Sequence, residues 1–247
     1  MKLELSLSFL SIAGILFGVF MWIVGLIVFK NEDKKLKGSY MMLLPGFNVG
    51  LFAYPVVEAI WGADGVKYFG MFDMGNSIPI FAICYIIASY FSGKSKIGAL
   101  KIGKKLLTSI PLMSYIVTLI VNLSGFHYPA VIINITGILG KANMPLSLLL
   151  LGICLNFTLD KCYRKGILKV IFIRYSIGLA VGLFLFFTVP FGKLFRYTLL
   201  MAFILPIGMA DIPYAVEFGY DKRLIGTACN LTIMLSFVFI WVIASSF

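Results

Sequence analysis

Ionisable residues are scarce in the apolar stretches of this chain, and the few that occur there define its chemistry. Asp211 sits between Pro206 and Pro213, about thirteen residues into an apolar run that starts at Thr198. At ~1.5 Å per helical residue this places it ~20 Å deep. An uncompensated charge in hydrocarbon costs roughly 3 kcal/mol or more, so a carboxylate at that depth is a functional candidate by default. It can exchange a proton or hold a cation, or it can cap a half-helix that begins near Pro213. Lys141 lies near the middle of another run, just before Asn143 and Pro145. It suits a counter-ion for Asp211 or for a substrate carboxylate; the alternative is a side chain snorkelling to water from an interfacial segment.

Asp73 and Asn76 fall one to two turns into a third run and, with Asn48, could line a common site. An asparagine amide donates two hydrogen bonds to a carboxylate without adding charge, which suits a carrier that must also release an anion. Asp73 is alternatively an interfacial cap. Asn230 holds the corresponding position in the second half, with the same two readings. Glu58 and Glu217 follow Pro55 and Pro213 by three and four residues, where a half-helix N-terminus favours negative charge. Arg174 is expected to snorkel to the cytoplasm, and His127, the only histidine, to be a loop bystander.

The elements that must position these groups are two interrupted apolar stretches. One runs from Ser39 to Ile60 and contains Pro45 and Pro55; the other runs from Thr198 to Phe218 and contains Pro206 and Pro213. Proline removes a backbone donor and clashes with the preceding turn, so each pair is expected to split a helix. Within a bilayer such breaks persist only against protein or a water-filled cavity. Matched breaks in two halves point to the substrate site of a secondary transporter. Each half-helix N-terminus carries unpaired amide hydrogens and about half a positive charge, so two opposed ends can hold one carboxylate.

Composition fixes the class. Of 247 residues, 61% are hydrophobic and 13% charged, with a mean hydropathy of +1.02. A soluble domain of this size would have to expose most of that apolar surface. The net charge of +11 lies in short loops, which excludes a basic nucleic-acid face. Of the four cysteines, Cys84, Cys154 and Cys229 fall in apolar runs and Cys162 in a basic loop, with no CxxC pair. That spacing argues against disulfides and structural zinc. No HExxH, GxGD or matched serine–histidine pair suggests an enzyme, no filter-like repeat suggests a channel, and no metal or organic cofactor is implied. The first apolar run, Leu7 to Phe29, is too long for a signal-peptide core and is expected to be retained.

The expected fold is an all-α polytopic membrane protein of about eight spans, each needing ~20 apolar residues. They are A (7–29), B (39–60, broken), C (69–91), D (106–124), E (129–157), F (168–189), G (198–218, broken) and H (224–246). Loops A–B, C–D, E–F and G–H carry fifteen lysines and arginines, among them Lys94, Lys96, Lys101, Lys105 and Lys161. The opposite side carries four: Lys2, Lys67, Lys193 and Arg196. The bias puts both termini outside a cytoplasmic membrane. Gly14 and Gly18 in A match Gly178 and Gly182 in F, and each broken span ends in a turn, Gly62-Ala63-Asp64 or Gly219-Tyr220-Asp221. A-B-C and F-G-H thus read as an inverted three-helix repeat within one domain. It divides into 1–91, the central helices D and E in 92–167, and 168–247.

The stretch Asn48 to Pro55 (N-V-G-L-F-A-Y-P), continued by V-V-E-A-I-W-G to Gly62, resembles the fourth-helix signature of the auxin efflux carrier family. Met144-Pro145-Leu146-Ser147 through Gly152 and Leu155 is similar to its seventh helix, and Leu205-Pro206 to Asp221 to its ninth. Ala53 stands where the family usually has glycine, Gly208 where it often has alanine, and Pro213 adds a second break. Helix A resembles the family's third helix, so the match is to a shortened member without the first two helices. The resemblance implies a secondary transporter of small organic anions such as malate, malonate or auxin-like carboxylates. It places Asn48 and Pro55 at the first crossing and Pro206 at the second. The short loop at 92–105 looks microbial.

The expectation is therefore a permease in a bilayer. Its site residues would be Asn48, Pro55, Asp73, Asn76, Pro206, Asp211, Pro213 and Asn230, with Asp211 and Lys141 as coupling or counter-ion groups. A proton or sodium coupling ion and a homodimer are left open. The alternative is a non-transporting shortened relative that serves as an interaction partner, or a gene fragment.

Overall fold

A computed structural model of the protein describes residues 5–93, 100, 103–104, 107–126, 128–154 and 162–246. Lys2, Lys94, Lys96, Lys101, Lys105, His127, Leu155 and Lys161, and the side chain of Cys154, lie outside the described residues. The fold is all-α and polytopic. In chain order it has α1 (Leu5–Val28), α2 (Lys34–Met42), α3 (Tyr54–Ile78), α4 (Cys84–Phe91) and α5 (Ile110–Leu123). There follow α6 (Ala130–Cys154), α7 (Arg164–Thr188), α8 (Lys193–Ala202), α9 (Asp211–Phe218) and α10 (Lys222–Ala244). A π-helical turn at Val49–Ala53 leads into α3, and another at Pro79–Ile83 joins α3 to α4. Among the described residues, five helical stretches are long and apolar enough to cross a membrane: Leu7–Val28, Val49–Phe91, Ala130–Leu150, Arg164–Thr188 and Lys222–Ala244, the second of them turning at a kink at Gly62.

The two proline-bearing spans are assembled from half-helices, so neither is one continuous rod. The first runs through α2, leaves helical geometry over 43–48, and resumes at Val49; the second runs through α8, breaks over 203–210, and resumes as α9. Each span breaks once, where the proline pairs predicted two interruptions. Pro45 and Pro206 lie in the breaks. Pro55 occupies the first turn of α3, and Pro213 the first turn of α9. At Pro213 the missing amide hydrogen is one the helix would leave unpaired in any case; Pro55 directly follows the π turn, where the half-helix is already bonded from the Tyr54 amide to the Val49 carbonyl. Both returning halves end on glycine with positive φ, Gly62 at 62° and Gly219 at 73°. That conformation strains any residue bearing a Cβ, so these turns depend on glycine.

Small residues let the surrounding helices close on the breaks. A Cβ on Gly75 of α3 would run into the Ser11 carbonyl of α1, and one on Gly18 into the ring of Pro79. In the second half a Cβ on Gly178 would collide with the Phe203 carbonyl. Close backbone approach of this kind is how membrane helices associate when no water is displaced. The two glycine pairs meet different partners, however. Gly14 packs on α3 at Phe72 and Asn76 and Gly18 on Pro79 and the Pro45 carbonyl of the first break, whereas Gly178 and Gly182 both pack on the second broken span, at Phe203 and Leu200. Four buried or nearly buried rings then tie the breaks together. Phe17 stacks on Phe203 at 4.2 Å and lies 5.7 Å from Phe47, and Phe72 contacts Phe47 and Phe203 at 5.9 and 6.0 Å.

Candidate functional site at the crossed breaks

A helix interrupted inside a membrane frees carbonyls and amides that water cannot satisfy, so the destination of each one determines what the site is built from. The two breaks satisfy part of this requirement with each other. Phe47 and Ile207 form an isolated antiparallel bridge, and the Asn48 amide donates to the Pro206 carbonyl at 2.9 Å.

Side chains from other helices complete the pairing. Asn76 in α3 binds both polar groups of Phe47: its Oδ1 accepts from the Phe47 amide at 3.0 Å and its Nδ2 donates to the Phe47 carbonyl at 3.0 Å. In the second half the Ile207 amide donates to Thr232 Oγ1 at 3.1 Å. Asn230, the residue expected to mirror Asn76, is buried two positions away on α10. Ser236 Oγ donates to the Ile204 carbonyl at 2.7 Å, and the Cys84 thiol to the Met42 carbonyl at 3.2 Å.

Arg174 supplies the remaining donors. Its side chain is 3% exposed, so it does not snorkel. Nη1 donates to the carbonyls of Leu43 and Leu44 at 2.9 and 2.5 Å, and Nη2 to that of Leu205 at 3.2 Å. The guanidinium also lies 4.6 Å from the centre of the Phe47 ring. One cation therefore caps the carbonyl ends of both incoming half-helices, where the helix dipoles favour positive charge. The sequence reading missed it because α7 begins at Arg164, not near residue 168, so Arg174 lies a full turn deeper than expected. A usable signal was present: Arg174, Gly178 and Gly182 recur every four residues and share the face that packs on the broken span.

Asp211 opens α9 and is fully buried, and neither carboxylate oxygen has a hydrogen-bond partner among the described residues. The groups acting on it are the Arg174 guanidinium and the Cys84 thiol, whose hydrogen is given to the Met42 carbonyl. Lys141 lines a different cavity, so the structure does not pair it with Asp211. Asn48 is likewise buried, and its Oδ1 accepts from the Leu51 amide at 3.3 Å while its Nδ2 has no partner. The breaks thus hold one spare amide donor on the first and one unsatisfied carboxylate on the second.

A cavity of about 170 Å³ opens at this point. It is lined by Asn48, Val49 and Gly50 from the first returning half, Asp73 and Asn76 from α3, and Met209 and Ala210 from the second break. Asp73 is held rather than free: it accepts from Tyr115 at 2.5 Å, Asn76 at 3.1 Å and Tyr54 at 3.2 Å. The two hydroxyls also meet each other at 2.8 Å. Of the expected site residues, Asn48, Asp73 and Asn76 gather at this cavity, Pro206 contributes its carbonyl beside it, and Asp211 follows directly on Ala210. Pro55 faces an apolar cleft with Met144 and Trp241, and Pro213 is exposed.

No family model matches the chain. Over 245 residues it is 25% identical to an uncharacterized transporter of Methanocaldococcus jannaschii, an alignment covering 95% of this chain and 78% of that protein. Over 192 residues it is 27% identical to an uncharacterized transporter of Methanothermobacter thermautotrophicus, covering 77% of this chain and 62% of that protein. The chain thus spans less than two thirds of the second relative. Together with the five apolar helices, the likeness supports a multi-pass membrane transporter in general.

Proposed function

We propose that the protein is a secondary transporter of small organic anions, of the malate, malonate or auxin-like carboxylate kind, working by alternating access at the two crossed breaks. The observation that carries this reading is the contact of the breaks at Phe47 and Ile207, with Asn48, whose amide nitrogen has no partner, lining the cavity beside it. A carboxylate entering there would meet Asn48 Nδ2 and the amide end of the half-helix starting at Val49, donors that bind an anion and still release it.

Arg174 has its donors committed to main-chain carbonyls. In this reading it holds the breaks together and leaves the solute to the amides. Asp211, unsatisfied and next to the cavity wall, would take up the coupling proton or sodium ion; its charge then sets how readily an anion stays. The reading places α1–α4 and α7–α10 as inverted repeats that move around the crossing, within the auxin efflux carrier family, and it admits a homodimer. The lysine-rich loops would face the cytoplasm.

The test is uptake of radiolabelled mono- and dicarboxylates by purified protein in proteoliposomes, with and without proton and sodium gradients. Saturable, gradient-driven uptake that falls at least tenfold in Asn48→Ala supports the carrier. A folded protein that binds and moves none of the acids overturns it in favour of a non-transporting relative.

A further inference from the structure

A second cavity, of about 540 Å³, adjoins the first along the same turn, since Gly50 and Leu51 line both. Its other walls are Tyr54, Glu58 and Val66 on the α3 side and Gly137, Gly140, Lys141 and Asn143 on α6. Asn143 fixes α6 to the crossing by donating from Nδ2 to the Gly50 carbonyl at 3.4 Å. The glycines leave the α6 face open: a Cβ on Gly137 or Gly140 would meet nothing within 4 Å. Two opposite charges therefore face one cavity beside the crossing. Lys141 is eleven residues into α6, about 17 Å along the helix axis and hence near mid-bilayer.

Among the described residues, neither Glu58 nor Lys141 makes a hydrogen bond or ion pair. At the depth of Lys141 a charge is costly unless paired and usually marks a substrate path, and Glu58 reaches the same cavity from the half-helix that ends at Gly62. Here each lacks a protein partner while sharing a cavity with the other. A dianion would neutralise Lys141 but leave Glu58 repelling it. A solute bearing one positive and one negative group would satisfy both.

We infer that the substrate carries an ammonium group as well as a carboxylate, and so belongs to the zwitterionic amino acids, with Glu58 receiving the ammonium and Lys141 the carboxylate. Asp73 is not the ammonium partner, because three donors already occupy it. The inference rests on the carrier reading and narrows it from small carboxylates in general to those that also carry a cation.

The test uses the full chain in proteoliposomes with matched pairs of 2-amino and 2-hydroxy acids: alanine with lactate, leucine with 2-hydroxyisocaproate, and aspartate with malate. The expected result is that the amino member of at least one pair enters ten times faster or more than its hydroxy partner. Glu58→Gln should erase that preference, and Lys141→Gln should slow both members. Each variant should elute as the native species in size-exclusion chromatography. Uptake of the hydroxy acids at equal or higher rates, or a preference that survives Glu58→Gln, overturns the zwitterion assignment and leaves the carrier standing. Uptake of no member of any pair overturns the assignment and the carrier reading together.

Discussion

The first and second breaks solve one physical problem with different residues. Each must satisfy main-chain groups freed inside a membrane. At the first, Asn76 clamps both polar groups of Phe47, and the returning half starts with an asparagine whose amide hydrogens are spare. At the second, Thr232 binds only the Ile207 amide, and the returning half starts with a buried, unsatisfied carboxylate. Arg174 is common to both. The difference separates labour: the first break is the better built and offers a donor, while the second is more lightly held and offers a group that can change charge. An anion-holding role belongs with the first and an ion-responsive role with the second.

The largest effect should come from the shared residue. Arg174→Met would orphan three buried carbonyls, at roughly 1–3 kcal/mol for each group left unsatisfied, and would remove the cation acting on Asp211. Thermal unfolding in detergent should show this as a large fall in midpoint, with Arg174→Lys recovering part of it. A variant as stable as the parent would contradict the shared role.

The next pair tests the asymmetry itself. Asn76→Leu strands two main-chain groups of Phe47 and Thr232→Val strands one at Ile207, at roughly 1–3 kcal/mol for each group left unsatisfied. Asn76→Leu should therefore lower the midpoint distinctly more. Equal losses would remove the difference in how firmly the breaks are held.

Asp211→Asn should disturb stability less than either, since no hydrogen bond to its carboxylate is lost, but it should abolish pH-dependent accumulation. Unchanged pH-driven uptake would take Asp211 out of the coupling role. The smallest effect belongs to Tyr115→Phe. Asp73 keeps Asn76 and Tyr54, so the loss should stay near 1 kcal/mol, the net value of a single hydrogen bond. A much larger loss would mean that α5 is held chiefly through that hydroxyl.

Much of this architecture was legible in the residues. Proline located both breaks because its chemistry is local: Pro45 and Pro206 each remove a main-chain donor, although Pro145 inside α6 shows that a proline alone does not oblige a break. The same rule overcounted, since Pro213 falls in a first turn, where a proline is tolerated, and Pro55 sits within the helical run that starts at Val49; where a helix begins is a boundary no local rule sets. Asn48 and Asp73 were picked out as polar groups in apolar runs, but their partners come from helices dozens of residues away and leave no local trace. Asn230 and Thr232 show the limit most plainly. Counting positions from the turn favoured the asparagine, yet a two-residue shift on a helix is a rotation of about 200° and points the side chain elsewhere. Arg174 was misread through a boundary error of one turn, although its glycine neighbours at four-residue spacing already marked the packed face.

The most direct test joins the breaks covalently. An antiparallel pair holds its Cα atoms ~4.5–5.5 Å apart, within the reach of a disulfide. A chain carrying Phe47→Cys and Ile207→Cys, with its native cysteines replaced, should form an intramolecular disulfide on mild oxidation. Uptake should stop on oxidation and return with reductant. Failure of the two thiols to cross-link in a folded protein, or full transport with the bond in place, would contradict the claim that the solute passes where the two broken helices meet.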